Sequence, residues 1–158
     1  MSSRLFSEVR EERGLAYEIG SGVRKFHETG AFMVDAGVDN RKLEEAVRVI
    51  LKELEKTTRH DVEAGELRRA KDFYLGQLDL SLENSMEHML WVGDGVVSYG
   101  RSRTPKEVAK KVRCITPSEV RHAAKQVFKT ESLNLAVVGP VSESQNKHLE
   151  KLLSFSNN

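Results

Sequence analysis

Residues 2–26, SSRLFSEVREERGLAYEIGSGVRKF, change hydrophobic period at a glycine, and no other feature constrains the fold of this chain as tightly. Up to Arg13, the apolar residues Leu5, Phe6 and Val9 recur at helical spacing. Glu8, Glu11 and Glu12 are interleaved there with Arg4, Arg10 and Arg13. Gly14 is placed to stop the helix, because glycine takes the left-handed conformation of a helix C-terminus at little cost. From Ala16 onward residues alternate, which predicts a strand with Tyr17, Ile19 and Val23 on one face. Arg10, near the helix end, and Tyr17, near the strand start, are therefore expected on one side of the turn.

The chain then reads as a hairpin followed by helices. His27-Glu-Thr-Gly30 supplies turn residues, and Ala31–Val38 alternates as a second, antiparallel strand. Gly20, Gly22 and Gly37 lie inside these strands and point to a bulge, a close backbone approach or a simple bend. Asp39 is placed to cap a helix to Leu54, with Leu43, Ala46, Val47, Ile50, Leu51 and Leu54 as its apolar stripe. Its charged face, Glu53 included, reads as solvated. Residues 57–61 loosen into a loop before a long helix over 62–82. Asn84-Ser85 then starts another helix to about Ser98, whose Met86, Met89, Leu90 and Trp91 read as core rather than as a cofactor box.

Two capping boxes with proline at the first helical position, Thr104-Pro105-Lys106-Glu107 and Thr116-Pro117-Ser118-Glu119, open two short amphipathic helices. Leu133–Val138 is nearly all apolar and predicts a strand covered on both faces, stopped by Gly139-Pro140. Ser142 caps a last helix, and the tail SFSNN is expected to fray. The resulting order, α-β-β-α-α-α-α-α-β-α, predicts an α+β fold with helices packed on one face of a small, mainly antiparallel sheet.

The length of 158 residues suits one domain. With 25 basic and 24 acidic residues the net charge is +1, so no global field marks a nucleic acid or an anionic membrane as partner. The single cysteine, Cys114, excludes an intrachain disulfide and reads as a buried or inert thiol. The charged N-terminus and the lack of a long apolar run make the cytoplasm the default compartment.

No complete catalytic constellation is present. There is no H-x-x-E-H zinc motif and no G-x-S-x-G elbow, and Gly93-x-Gly95 lacks the strand and third glycine of a phosphate loop. It reads instead as close helix packing. His27, His60, His88, His122 and His148 are scattered, and the Glu87/His88 and Glu119/His122 pairs are too small to make a metal site. Arg10 and Tyr17 remain. A guanidinium is a fixed fork of donors suited to peptide carbonyls and carboxylates, and a tyrosine hydroxyl can donate to a carbonyl oxygen that gains charge during hydrolysis. The competing reading pairs Arg10 with Glu11 or Glu12 and packs Tyr17 in the sheet.

The run SSRLFSEVREERGLAY resembles the segment that opens the second part of the C-terminal half of pitrilysin/insulinase-type zinc metallopeptidases, the inverzincins, which include the mitochondrial processing peptidases. The similarity continues through the Thr29–Gly37 turn and strand, ELRRAKDFYLGQL, ITPSEVRHAAKQVF and LNLAVVGP. The resemblance implies a processing-peptidase-like half fold, incomplete in this chain, with the first strands of the sheet lying upstream of Met1. It implies that Arg10 and Tyr17 bind peptide substrate over a zinc ion held by a partner half or subunit carrying H-x-x-E-H, with no metal ligand and no catalytic residue in this chain. An oligomeric assembly follows, and the alternative is a non-catalytic interaction or structural subunit of such a complex.

Overall fold

The computed structural model describes residues 3–154; the expected fraying of the tail falls mostly on 155–158, outside the described residues. Strands β1 (Ala16–Lys25) and β2 (Gly30–Val38) follow a short π-helix (Phe6–Glu12). Six α-helices come next: α1 (Leu43–Arg59), α2 (Ala64–Glu83), α3 (Ser85–Tyr99), α4 (Pro105–Cys114), α5 (Pro117–Val127) and α6 (Glu143–Leu152). Residues 1–60 with 121–158 form one compact unit and residues 61–120 a second. The architecture is the expected α+β arrangement.

In the first unit β1 and β2 pair as an antiparallel hairpin in which Ile19 faces Ala36 and Val23 faces Phe32. The core forms where the π-helix and β1 meet α1: Leu5, Val9, Leu15, Ala16 and Ile19 pack on Ala46 and Val49. A second cluster joins Leu43 and Val47 of α1 to Leu149 of α6. Asp39 caps as expected, accepting from the Arg41 N–H at 2.9 Å, but it opens a 3-10 turn (Asn40–Lys42) ahead of α1. The predicted loop over 57–61 is instead largely helix. The Thr57 and Thr58 hydroxyls donate back to the Glu53 and Glu55 carbonyls, so β-branched residues that loosen the pattern on paper are held in the last turn of α1. Glu53 is buried rather than solvated, and its carboxylate meets the Lys56 ammonium.

Leu133–Val138 does not form the expected strand. Among the described residues the sheet has two strands, and this apolar run joins neither. Leu133 is half-buried, but residues 134–138 are exposed, Val138 fully. A strand needs a ladder partner, and among the described residues this segment pairs with none.

In the second unit the two predicted capping boxes hold, with Glu107 and Glu119 each accepting from the backbone of the cap threonine. Lys71 of α2 donates to the Arg113 and Ile115 carbonyls at the end of α4, where unpaired carbonyls favour a cation. Gly95 is buried against the backbone of residues 101–103, a loop and not a helix, at distances where a Cβ would make ordinary contact. Gly93 has open space around it. Met86, Met89 and Leu90 are exposed, against expectation. The layer of α2 and α3 leaves one face of each helix uncovered within the unit. Cys114 is likewise exposed, not buried.

A candidate substrate-binding site at the helix-to-strand junction

The Arg10–Tyr17 junction is built by three departures from regular backbone. The first is the π-helix itself, whose wider turn is a rare geometry enriched at functional sites. Its end is closed by Gly14, at φ +57°, with the Gly14 N–H donating to the Arg10 carbonyl at 3.2 Å and the Leu15 N–H to the Val9 carbonyl at 2.8 Å. Lys42 reaches across from the 3-10 turn and donates to the Gly14 carbonyl at 3.0 Å. The second departure is that left-handed glycine. The third is a bulge at the start of β1: Ala16 faces Val38, Glu18 faces Gly37, and Tyr17 between them has no opposite residue.

The bulge corrects the alternation read from sequence. Tyr17 is 87% exposed and Ile19 is 9% exposed, so the two residues expected on one face are separated. An extra residue in a strand re-aims its side chain in this way. Tyr17 does not pack in the sheet, as the competing reading required.

Arg10 and Tyr17 are brought together. The Arg10 guanidinium carbon lies 6.0 Å from the Tyr17 ring centre and 4.9 Å from that of Phe6, within cation–π range of both. The neighbouring carboxylates are engaged elsewhere: Glu8 pairs with Arg13 at 3.0 Å, and Glu11 accepts from the Ser7 hydroxyl. The Arg13 guanidinium hydrogen-bonded to Glu8 holds that carboxyl below its ordinary range. Among the described residues no ion pair joins Arg10 to a carboxylate. The Arg10 and Tyr17 side chains are both exposed.

Phe6 escaped the sequence reading as a member of this site, although its spacing of four from Arg10 on a helix was a usable signal. Lys42 carried no local signal, since its contact depends on the fold of the hairpin.

The remaining candidates do not assemble. His122 bonds with Gln126 at 3.0 Å, while Glu119 serves the cap of α5. His148 approaches Glu44 at 3.4 Å, and the His88 ring lies tilted to that of Trp91, 6.3 Å between centres. Among the described residues no group of three His, Cys, Asp or Glu side chains could hold a metal ion, so this donor set does not fit zinc. No helix among the described residues is long and apolar enough to cross a membrane.

Residues 1–74 match the family model described as the inactive domain of peptidase M16. The chain is 32% identical over 149 residues to an uncharacterized zinc protease of Streptomyces coelicolor, covering 94% of this chain and 32% of that protein. It is 34% identical over 140 residues to one of Mycobacterium tuberculosis, covering 89% and 32%. A Bacillus subtilis protein of the same description is 31% identical over 140 residues, with 89% and 34% covered. Among solved structures, a chain of complex III2 from Candida albicans, with Inz-5 bound, superposes with a TM-score of 0.72 at 22% identity, over 80% of this chain and 30% of that one. That likeness concerns the fold alone. The chain spans about a third of the length of the curated relatives it matches. These matches show that the chain belongs to the M16, pitrilysin/insulinase-type, family of zinc peptidases, with residues 1–74 matching its inactive domain.

Proposed function

We propose that this chain is the substrate-binding domain of a two-part zinc metalloendopeptidase, one domain equivalent to the last part of the C-terminal half, and that Arg10 and Tyr17 hold the peptide. The observation that carries the reading is their convergence across Gly14: an exposed tyrosine at a bulge beside a guanidinium with no carboxylate partner among the described residues. Arg10 donates to backbone carbonyls of the bound peptide, and the Tyr17 hydroxyl donates to the carbonyl oxygen on which charge develops. Zinc would be held by a partner half or subunit, not by this chain, and would supply Lewis-acid chemistry there. With one cysteine and no intrachain disulfide, the chain suits a reducing compartment, and we assign it to the cytoplasm.

The test is Arg10→Ala and Tyr17→Phe in the chain assembled with its zinc-bearing partner. Loss of one such donor costs about 2.7–4 kcal/mol of transition-state stabilisation, a fall of about 100- to 1,000-fold in turnover. The melting midpoint should hold. Retained turnover with a lowered midpoint would make the pair structural.

A second reading, a non-catalytic subunit, is favoured by the description of the matching family domain as inactive and by the lack of a ligand set among the described residues. An H-x-x-E-H sequence in the partner separates the two. On either reading the dialysed chain alone carries less than stoichiometric zinc and shows no chelator-sensitive hydrolysis.

A further inference from the structure

The peptide group between Gly14 and Leu15 joins the end of the π-helix to the start of β1, and it is held on both sides. Its N–H donates to the Val9 carbonyl at 2.8 Å, and its C=O accepts from the Lys42 ammonium at 3.0 Å. The first bond closes the helix end and is local. The second comes from 28 residues further along the chain, out of the 3-10 turn that follows β2. The group is planar and turns as one body, so a rotation that releases the carbonyl also releases the N–H and changes the direction in which β1 leaves Gly14. Glycine resists such a rotation less than any other residue, because it lacks the Cβ that restricts the backbone. The orientation of this peptide therefore depends on its two partners.

The surroundings of Lys42 leave its ammonium to this contact. Asp39, which starts the same turn, is taken by Arg41: Oδ1 accepts from the Arg41 N–H at 2.9 Å and from Nε at 3.2 Å, and Oδ2 accepts from Nη2 at 2.9 Å. Among the described residues no ion pair joins Lys42 to a carboxylate. The turn itself is anchored. Asn40 Nδ2 donates to the Pro140 carbonyl at 2.8 Å, and the Asn40 carbonyl accepts from Gln145 Nε2 at 3.1 Å. Just before the turn, Val38 pairs with Ala16. The segment that leads into the bulge is thus gripped at Gly14 by Lys42 and at Ala16 by Val38, and Tyr17 is the next residue.

We propose that Lys42 is a positioning residue of the Arg10–Tyr17 site: its ammonium fixes the Gly14–Leu15 peptide and, through the backbone, the direction in which the bulge presents Tyr17 to Arg10. The consequence for turnover rests on the peptide-binding role proposed for the pair; the consequence for its geometry does not. A hydrogen bond from a charged donor is stronger than a neutral one, and without it the peptide group populates orientations that misaim the pair. The rate then falls with the fraction of molecules that remain competent.

Lys42→Met keeps the stem and removes the donor, whereas Lys42→Arg keeps a cationic donor. In the isotopically labelled chain, Lys42→Met should weaken the nuclear Overhauser cross-peaks between the Arg10 side chain and the Tyr17 ring and speed Leu15 amide exchange by about tenfold. Lys42→Arg should restore both. With the zinc-bearing partner assembled, the initial rate on a randomised library of internally quenched nonapeptides should fall about tenfold in Lys42→Met and recover in Lys42→Arg, with the melting midpoint held. Unchanged cross-peaks and Leu15 protection in Lys42→Met, or losses that Lys42→Arg does not restore, would overturn the inference. So would a full rate in Lys42→Met when Tyr17→Phe has lost its own. Failure of the functional reading looks different: Arg10→Ala and Tyr17→Phe then keep their turnover, while Lys42→Met still changes the cross-peaks, which supports the positioning of the pair by Lys42.

Discussion

The guanidinium of Arg10 lies 6.0 Å from the ring of Tyr17 although a helix end and a strand start separate them in the chain. Two backbone features make the approach: Gly14 reverses the chain at φ +57°, and the bulge turns Tyr17 out of the sheet. Neither is a side-chain contact. The geometry of the pair is therefore set by backbone conformation, at Gly14 and at the bulge.

Gly14 gives the first prediction. A Cβ built there meets nothing within 4 Å, so a substitution costs only the left-handed backbone. Gly14→Ala should destabilise the chain by about 1–2 kcal/mol, and Gly14→Asn by less, since asparagine tolerates that region. Denaturant unfolding measures both. Equal stability of all three would show that the turn relaxes to another conformation, and the Arg10–Tyr17 approach would not depend on it.

Acid gives the second. Hydrogen bonds from the Arg41 guanidinium and N–H hold the Asp39 carboxyl at a pKa of about 2, against an ordinary 3.8. A carboxyl depressed in the folded state contributes stability that is fully present above the unfolded value and is lost as pH falls through the folded one. Stability tied to Asp39 should thus decline between about pH 4 and pH 2. Glu107 and Glu119, lowered mainly by backbone hydrogen bonds from Thr104 and Thr116, act with the same sign below their ordinary 4.5. Asp39→Asn can still cap the turn but cannot titrate. Its melting midpoint should fall less steeply over this window than that of the unaltered chain; parallel slopes would exclude Asp39 as a contributor.

Much of this was legible because local signals agreed with the final structure. The stop at Gly14, the hairpin turn before Gly30, the caps at Asn84, Thr104, Thr116 and Ser142, and the stripe of α1 each depend on neighbours in sequence. What failed depended on distant partners. Leu133–Val138 has the composition of a buried strand, but composition cannot supply a ladder, and Met86 and Met89 have the spacing of core residues with nothing over them in their unit. The site was half legible. Spacing put Arg10 and Tyr17 together, whereas the π-helix and the bulge, which aim them, leave no trace in alternation because one extra residue moves every later side chain to the other face.

Phe6 supplies the last prediction. Its ring holds the Arg10 guanidinium at 4.9 Å, closer than Tyr17 does, and it also packs partly against the core cluster around Val9. An arginine side chain carries about 2 kcal/mol of rotamer entropy, so in the proposed peptide-binding role a guanidinium that already rests on a ring would lose less on binding. Phe6→Leu keeps the apolar bulk and removes the ring. A cation–π contact at an exposed position is worth about 0.5–1 kcal/mol, so kcat/KM of the assembled enzyme should fall about two- to fivefold, through KM, with little change in kcat. If the effect runs through Arg10, it should vanish when Phe6→Leu is introduced into the Arg10→Ala variant, because the two losses then share one interaction. Tyr17→Phe, which keeps its ring, should leave the Phe6→Leu penalty in place. A penalty of the same size in the Arg10→Ala background, together with a lowered melting midpoint, would mean that Phe6 acts through the core and not through the guanidinium.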